Sequence, residues 1–172
     1  MNIQTMVEIE QIKQLKYRYI RGIDTHDFDL LCDCFTEDAT VWYADGTFKH
    51  TGRSAIIAFM KSLITPAFVS SHIVTQPEIE LIDASTAKGV WRLQDTVYLT
   101  EQNEVLMQSG FPLAGGGTIQ GAAYYYDEYT KQGDQWKISQ SGFVRIFEAL
   151  TAKNGQFHLN VGPTLGLRAG AG

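Results

Sequence analysis

The spacing of apolar residues changes once along this chain, and that change constrains the fold more than any other feature. Before Pro66 apolar residues recur at steps of three and four, which predicts amphipathic helices. After Pro66 they alternate with polar residues, which predicts strands with one buried face. Helices followed by a run of strands is an α+β order, so we expect helices packed on a strongly curved antiparallel sheet that encloses a pocket.

Individual elements follow from turn and cap residues. The first helix is predicted to end near Asp24, the second to cover residues 28–35, and the third to have Ser54 as its N-cap and to stop at Pro66. A short strand is predicted at residues 40–43. Longer strands are predicted over residues 70–80, 86–100, 104–111, 119–131 and 135–148.

Composition limits the class of protein. With 44% hydrophobic and 19% charged residues, the 172-residue chain is predicted to fold as one globular domain over residues 1–150, followed by a loosely held C-terminal extension over residues 151–172. The 14 basic and 19 acidic residues give a net charge of −5 with no basic stripe, which argues against a nucleic acid partner.

The sequence also bears on membrane insertion, metal binding and cellular location. The longest clean apolar run, residues 55–60, is far too short to span a bilayer, and the N-terminus lacks the features of a signal peptide. Cys32 and Cys34 are too close together for a disulfide framework and too few for a zinc site. We therefore predict a cytoplasmic protein with reduced cysteines, no membrane partner and no metal.

Asp95 is the most informative polar residue because it lies on an apolar strand face. Burying a carboxylate costs several kcal/mol unless it is paired or used. The alternatives are a strand whose outer face is apolar, or a local ion pair with Arg92. The other members of the face are Trp91, Leu93, Val97 and Leu99.

Arg145 and His72 extend this argument. Arg145 lies in a segment that is apolar on both alternations, so its guanidinium needs a carboxylate partner, and a purely structural ion pair is the alternative. His72 enters the first long strand. If that strand neighbours the strand of Asp95, the carboxylate can hold one imidazole nitrogen and leave the other basic, as proton transfer requires.

Tyr19 and Asp24 belong to the first helix and lie five residues apart, so they do not stack as an i,i+4 pair. Both could edge a pocket, although Tyr19 also fits a plain core position and Asp24 an ordinary helix end. His26, His50 and His158 lack metal-ligand spacing, and Gly115-Gly116-Gly117 is not a nucleotide-binding loop, so no cofactor is expected.

The segment over residues 9–19, followed by Asp24, resembles the opening of bile acid 7α-dehydratases. These enzymes form part of the SnoaL-like branch of the NTF2-like superfamily, alongside scytalone dehydratase. The resemblance covers roughly residues 9–148. Beyond His72 and Asp95 it rests on residues 77–79, 86–91, 126–129, 133–136 and 142–148.

The resemblance implies a cone-shaped α+β barrel that is commonly trimeric, and hence a homo-oligomer. It also implies an active site of a tyrosine, an aspartate, a histidine, a second aspartate and an arginine, which match Tyr19, Asp24, His72, Asp95 and Arg145. One departure is the stretch over residues 109–121, which is several residues longer than in the dehydratases and could reshape the mouth of the cavity.

The expected reaction is cofactor-independent loss of water from a small hydrophobic hydroxylated substrate, a hydroxysteroid or bile acid of the 7-hydroxy-4-en-3-oxo type. His72, held by Asp95, would remove a carbon-bound proton. Tyr19 would stabilise the enolate or protonate the leaving hydroxyl, Asp24 would share the acid–base work, and Arg145 would offset carboxylate charge. The aromatic residues expected to line the substrate pocket are Trp42, Tyr43, Phe59, Trp91 and Phe143.

Two other classes of function stay open on the sequence. The same site could serve a ketosteroid isomerase-like proton shuttle, a polyketide cyclase or a dehydrochlorinase. The fold could also belong to a non-catalytic ligand carrier or to a structural subunit like the small subunits of ring-hydroxylating dioxygenases. Retention of all five polar residues favours an enzyme, because a scaffold has no need of so costly a buried set.

Overall fold

A computed structural model describes residues 2–113 and 115–162 of the chain. In chain order the described residues form α1 (Ile3–Asp24), α2 (Phe28–Cys34), β1 (Phe35–Tyr43), β2 (Phe48–Thr51), α3 (Arg53–Leu63), β3 (Phe68–Leu81), β4 (Thr86–Leu99), α4 (Glu104–Gln108), β5 (Gly117–Gln132), β6 (Gln135–Ala152) and β7 (Phe157–Val161).

The α+β class is confirmed, with the helices packed against one curved sheet that does not close. Its strand order is β2-β1-β6-β5-β4-β3. Strand β7 pairs with the later part of β6, which extends past the residues that pair with β1. The pairing of β1 with β6 is parallel and every other pairing among the described strands is antiparallel, so the sheet is mixed and not purely antiparallel as predicted. No helix in the described part of the chain is both long and apolar enough to cross a membrane.

Helix α1 lies against the concave face of the sheet through residues at helical spacing. Ile12, Leu15, Tyr19 and Ile23 are all buried, which confirms the amphipathic pattern read from the sequence. The helix begins after Asn2, whose side chain accepts a hydrogen bond from the backbone N–H of Thr5. Because α1 packs on β3, its last turn is brought close to the strand that carries His72.

Two local predictions are wrong. Residues 104–111 do not form a strand, because Asn103 accepts a hydrogen bond from the backbone N–H of Leu106 and starts the short helix α4. Ser54 is not the N-cap of α3. That position is held by Gly52 at φ 88°, a left-handed conformation that glycine adopts without strain.

The end of the described chain is more ordered than the sequence suggested. Strand β7 pairs with β6 from Phe157 opposite Thr151 to Val161 opposite Phe147. The predicted loosely held extension over residues 151–172 therefore contains the end of β6 and the hydrogen-bonded strand β7, and its remainder over residues 163–172 lies outside the described residues.

A β-bulge in β6 decides which side chains face the helices. Ala122 and Ala123 of β5 pair with Phe147 and Arg145, so Ile146 is an extra residue in β6. The alternation of faces reverses at this residue. Arg145 and Glu148 both face the concave side, whereas Phe147 faces outward and is 37% exposed.

One buried ion pair joins α1 to the centre of the sheet. The Lys16 Nζ atom lies 2.7 Å from Asp127 Oδ2, and neither side chain is exposed. Asp127 also accepts hydrogen bonds from the hydroxyls of Tyr129 and Ser141, at 2.8 and 2.7 Å. Burial lowers the pKa of the Lys16 ammonium, and the facing carboxylate opposes that shift.

Lys16→Met tests the contribution of this pair because methionine keeps most of the side-chain volume while removing the charge. Asp127 would then be a buried carboxylate without its cation, so we expect a loss of about 3–5 kcal/mol in the free energy of unfolding. The matched control is Lys13→Met on the same helix, whose partly exposed side chain pairs with Glu10 and whose loss should stay within about 0.5 kcal/mol. Equal losses in urea unfolding of the two variants would contradict this account.

Candidate active site

A cavity of about 110 Å³ lies between the concave face of the sheet and the helices. Its wall is mostly apolar, built from side chains of α1, α3, α4 and strands β1 to β6. The few polar groups converge on this space, as is usual for a small-molecule site. They come from Tyr19, Tyr43, His72, Asp95, Tyr125, Arg145 and Glu148.

His72 is held by Asp24 rather than by Asp95 as predicted. Its Nδ1 atom lies 2.6 Å from Asp24 Oδ1, and its backbone N–H donates to Asp24 Oδ2 at 2.9 Å. His72 and Asp95 are direct partners across β3 and β4, but their side chains bind other groups. The last turn of α1 therefore supplies the carboxylate that we expected from the neighbouring strand.

The hydrogen bonds to Asp24 define the tautomer of His72. A carboxylate accepts hydrogen bonds, so Nδ1 carries the proton and Nε2 is the basic nitrogen of this cavity-lining ring. Ser70 adds a third hydrogen bond to Asp24, at 2.7 Å. Burial alone would raise the pKa of Asp24, but the donors on His72 and Ser70 outweigh it and hold that pKa below its usual value.

Arg145 has the carboxylate partner that its buried position required. Its Nη1 and Nη2 atoms bind the two oxygens of Asp95 at 2.5 and 2.9 Å, a bidentate pair. Gly121 lies between the strands of these residues, and a Cβ there would stand 2.6 Å from Nη1. The planar guanidinium matches both oxygens of Asp95, which explains why that carboxylate does not hold His72.

Glu148 is a second carboxylate on the same guanidinium. Its Oε1 atom lies 3.3 Å from Arg145 Nε, and its side chain is only 10% exposed. Glu148 was not predicted from the sequence, because simple alternation from Arg145 places residue 147 in the cavity and residue 148 outside. Only the bulge at Ile146 reverses that order.

Tyr19 and Tyr43 supply hydroxyl groups to the cavity. Their hydroxyl oxygens lie 2.8 Å apart, and the ring of Tyr125 packs edge-on to Tyr19 at 6.2 Å. Burial raises the pKa of both Tyr19 and Tyr43 well above the usual value, so both phenols stay protonated hydrogen-bond donors at neutral pH. Tyr125 was not singled out because it lies in a run of three tyrosines, and only the register shows which one faces inward.

The predicted aromatic lining is found in part. Tyr43, Phe59 and Phe143 line the cavity, whereas Trp42 and Trp91 do not. Trp42 alternates with the inward-facing Tyr43, so its ring lies against Gly142 on the other side of the sheet. Trp91 does face inward, but it is fully buried away from the cavity and donates a hydrogen bond to the hydroxyl of Tyr129.

A second, more polar space, here called the vestibule, adjoins the cavity and has a volume of about 360 Å³. The two share Ala44, Phe111, Arg145 and Glu148. The start of the long stretch over residues 109–121 lies here, since residues 109–112 line the vestibule and Phe111 also lines the cavity. Its other lining residues include Asp45, Thr47, Leu150, Asn160 and Val161.

The polar set supports acid–base chemistry. Nε2 of His72 can take a proton, the tyrosine hydroxyls can donate hydrogen bonds to a developing oxyanion, and the Asp95–Arg145 pair adds little net charge. Among residues 2–113 and 115–162, no group of three or more His, Cys, Asp or Glu side chains is placed to hold a metal ion.

Comparison with known proteins identifies the family. A model of the SnoaL-like domain matches residues 4–141. One solved structure similar to this chain is a candidate scytalone dehydratase from Novosphingobium aromaticivorans, with a TM-score of 0.70 and 21% identity over 84% of this chain and 88% of that one. Another is a hexachlorocyclohexane dehydrochlorinase, LinA type 2, with a TM-score of 0.72 and 19% identity over 87% of this chain and 92% of that one.

A third similar structure, described as a protein of unknown function, comes from Mycobacterium tuberculosis. It has a TM-score of 0.62 and 25% identity over 83% of this chain and 73% of that one. These likenesses establish the fold, and two of the three neighbours carry the names of lyase-type enzymes.

Asp24→Asn tests whether this carboxylate orients the imidazole of His72 and stabilises its charged form. Asparagine keeps the shape but removes the negative charge that favours the Nδ1–H tautomer, so we expect turnover to fall by about 10²-fold or more. Asp29→Asn, on the exposed side of α2, is the matched control and should leave the rate unchanged. Nitrogen NMR of His72 should show loss of the Nδ1–H tautomer in the Asp24 variant alone. An unaltered tautomer together with an unaltered rate would contradict the assignment.

Proposed function

The chain belongs to the SnoaL-like domain family, and we propose that it is a cofactor-independent lyase that eliminates water from a hydroxylated carbonyl compound. The observation that carries the proposal is the hydrogen bond from His72 to Asp24, which leaves Nε2 as the basic nitrogen of a ring that lines a mostly apolar cavity. Members of this family without catalytic activity do not need such a pair, whereas a carbon acid can be deprotonated only by a well-placed base.

The proposed reaction begins at the carbon next to a carbonyl group. His72 Nε2 removes a proton from that carbon, and the C–H electron pair moves toward the carbonyl oxygen. Tyr43 donates a hydrogen bond to the charge that develops on this oxygen, and the Tyr19 hydroxyl, which donates to Tyr43, strengthens Tyr43 as a donor. The electron pair then returns to form a conjugated C=C bond as the bond from the β-carbon to oxygen breaks, and the leaving hydroxyl group takes up a proton and departs as water. Asp24 stabilises the imidazolium that forms, because its carboxylate remains ionised.

The size of the cavity bears on the substrate. A volume of about 110 Å³ is below the roughly 300–1,000 Å³ of sites that enclose drug-sized ligands. We propose that the cavity holds the reacting ring and that the rest of a larger substrate passes Phe111 into the vestibule. A hydroxysteroid or bile acid, the substrate class implied by the sequence resemblance, would occupy both spaces, whereas a one- or two-ring compound would occupy the cavity alone.

Dehydrochlorination is the second candidate reaction. It uses the same base and the same apolar cavity but expels chloride, and one structural neighbour is named as a hexachlorocyclohexane dehydrochlorinase. The tyrosine hydroxyls favour a carbonyl substrate, because a chlorinated alkane develops no oxyanion for Tyr19 and Tyr43 to stabilise. The cytoplasmic location and the homotrimer remain predictions from the sequence, and sedimentation of the purified protein would measure the oligomeric state.

His72→Ala and Tyr19→Phe test the proposed elimination. A suitable probe is 3-hydroxy-1-tetralone, a two-ring β-hydroxyketone whose loss of water yields fluorescent 1-naphthol. We expect each variant to lose about 10²-fold or more in turnover, since each removes one acid–base or oxyanion group. Tyr17→Phe, a partly exposed tyrosine of the same helix, is the matched control and should retain the rate. Near-normal rates in both site variants, with folded circular dichroism spectra, would overturn the proposal.

A further inference from the structure

Four residues on neighbouring strands form one row across the sheet. His72 on β3 pairs with Asp95 on β4, Asp95 pairs with Gly121 on β5, and Gly121 pairs with Glu148 on β6. Strand spacings of about 4.8 Å separate the backbones of His72 and Glu148 by about 14 Å along the sheet. Because the sheet is curved and both side chains line its cavity, the two ends of the row border the same space.

The middle of the row supports this arrangement. Gly121 has no side chain, and the guanidinium of Arg145 fills the space above it while binding Asp95. A substrate that contacts His72 at one end of the row can therefore lie over the Asp95–Arg145 pair and reach Glu148 at the other end. The proposed elimination has a base at the first end. Tyr19 and Tyr43 serve the carbonyl oxygen there, so the leaving oxygen still needs a group that gives it a proton.

Charge pairing indicates which carboxyl group of this set holds a proton. The single positive charge of Arg145 faces two carboxyl groups, and Asp95 binds it through both oxygens. Glu148 has only the longer contact of 3.3 Å to Nε. Two ionised carboxylates beside one cation would leave a net negative charge in a mostly apolar cavity, which is costly. Glu148 is the less tightly bound of the two carboxyl groups, so it is the one whose protonation is favoured.

Burial and the charged neighbours of Glu148 act on its pKa in opposite directions, and the net effect is a rise. Burial raises its pKa above the usual value, and the negative charges of Asp95 and of Asp45, in the turn between β1 and β2, contribute to the rise. Arg145 and a hydrogen bond from Asn160 on β7 oppose the rise without cancelling it. A protonated Glu148 contributes stability below its unfolded-state pKa, and this contribution is lost as the pH rises through its folded-state pKa.

We propose that Glu148 is the general acid that protonates the leaving hydroxyl group, an inference that rests on the elimination proposed above. The carbon-bound proton moves to His72 Nε2, and its electron pair forms the new C=C bond. The C–O bond breaks with its electrons on oxygen, which takes the proton of the Glu148 carboxyl group and leaves as water. His72 is then an imidazolium and Glu148 a carboxylate, and proton exchange with solvent restores both for the next turnover.

Leaving-group dependence separates an acid from a merely structural residue. Glu148→Gln keeps the size of the side chain but has no acidic proton, and chloride needs no proton to leave. The probes are 3-hydroxy-1-tetralone and 3-chloro-1-tetralone, with the uncatalysed rate of each subtracted. We expect the variant to lose about 10²-fold on the hydroxyl compound and to stay within about threefold of wild type on the chloro compound. His72→Ala should slow both reactions.

Glu128→Gln is the matched control, because it makes the same substitution at an exposed carboxylate on β5 that pairs with Lys88. Its rates should equal wild type with both probes. Isotope-edited infrared difference spectra of wild type and Glu148→Gln provide a readout that does not depend on turnover. They should show the C=O band of a protonated carboxyl group at neutral pH, and its absence would overturn the proposal.

The outcomes distinguish this inference from the function on which it rests. Equal slowing of both probes in Glu148→Gln, or no slowing of either, would overturn the role of Glu148 while leaving elimination by His72 in place. Failure of the wild-type protein to accelerate either probe above His72→Ala would overturn the proposed function itself and the role of Glu148 with it.

Discussion

The need to pair buried charge determines which groups meet inside this protein. Four carboxyl groups at or near the concave face of the sheet show this, and no two of them have the same set of donors. Asp127 pairs with the ammonium of Lys16, Asp95 with the guanidinium of Arg145, and Asp24 with the imidazole of His72. Glu148 shares a cation that is already bound, so it differs from the other three. Structure and proposed chemistry both follow from this distribution of partners.

These pairs also hold the layers together. Lys16 ties the middle of α1 to β5, and Asp24 ties the end of α1 to β3. The helix that supplies a stabilising ion pair thus also positions the carboxylate of the proposed base. A shift of α1 along the sheet would disturb both contacts, which makes the geometry of His72 dependent on the packing of the whole helix.

Much of this could be predicted from sequence because it rests on periodicity. The buried stripe of α1, the inward face of Asp95 and the need of Arg145 for a carboxylate are all properties of local pattern. The partner of His72 could not be found in this way. Asp24 lies 48 positions before it and reaches it only through the packing of a helix on a strand, whereas Asp95 is the closer candidate by strand pairing alone.

Glu148 and α4 were missed for different physical reasons. One extra residue in β6 reverses the alternation of faces, and nothing in the local pattern marks the bulge. In residues 104–111 a short apolar segment fits either a strand or a helix, and the side chain of Asn103 decides between them by capping the first turn. Both features shape the cavity, so the substrate is harder to predict than the fold.

Proton abstraction from carbon by His72 is the central claim, and it can be measured without any leaving group. In D₂O, 1-tetralone exchanges the hydrogens next to its carbonyl group for deuterium, and NMR follows the loss of their signal. The account predicts that the wild-type protein accelerates this exchange and that His72→Ala does so by at least about 10²-fold less. Exchange at the same rate with wild type, with His72→Ala and without protein would contradict it.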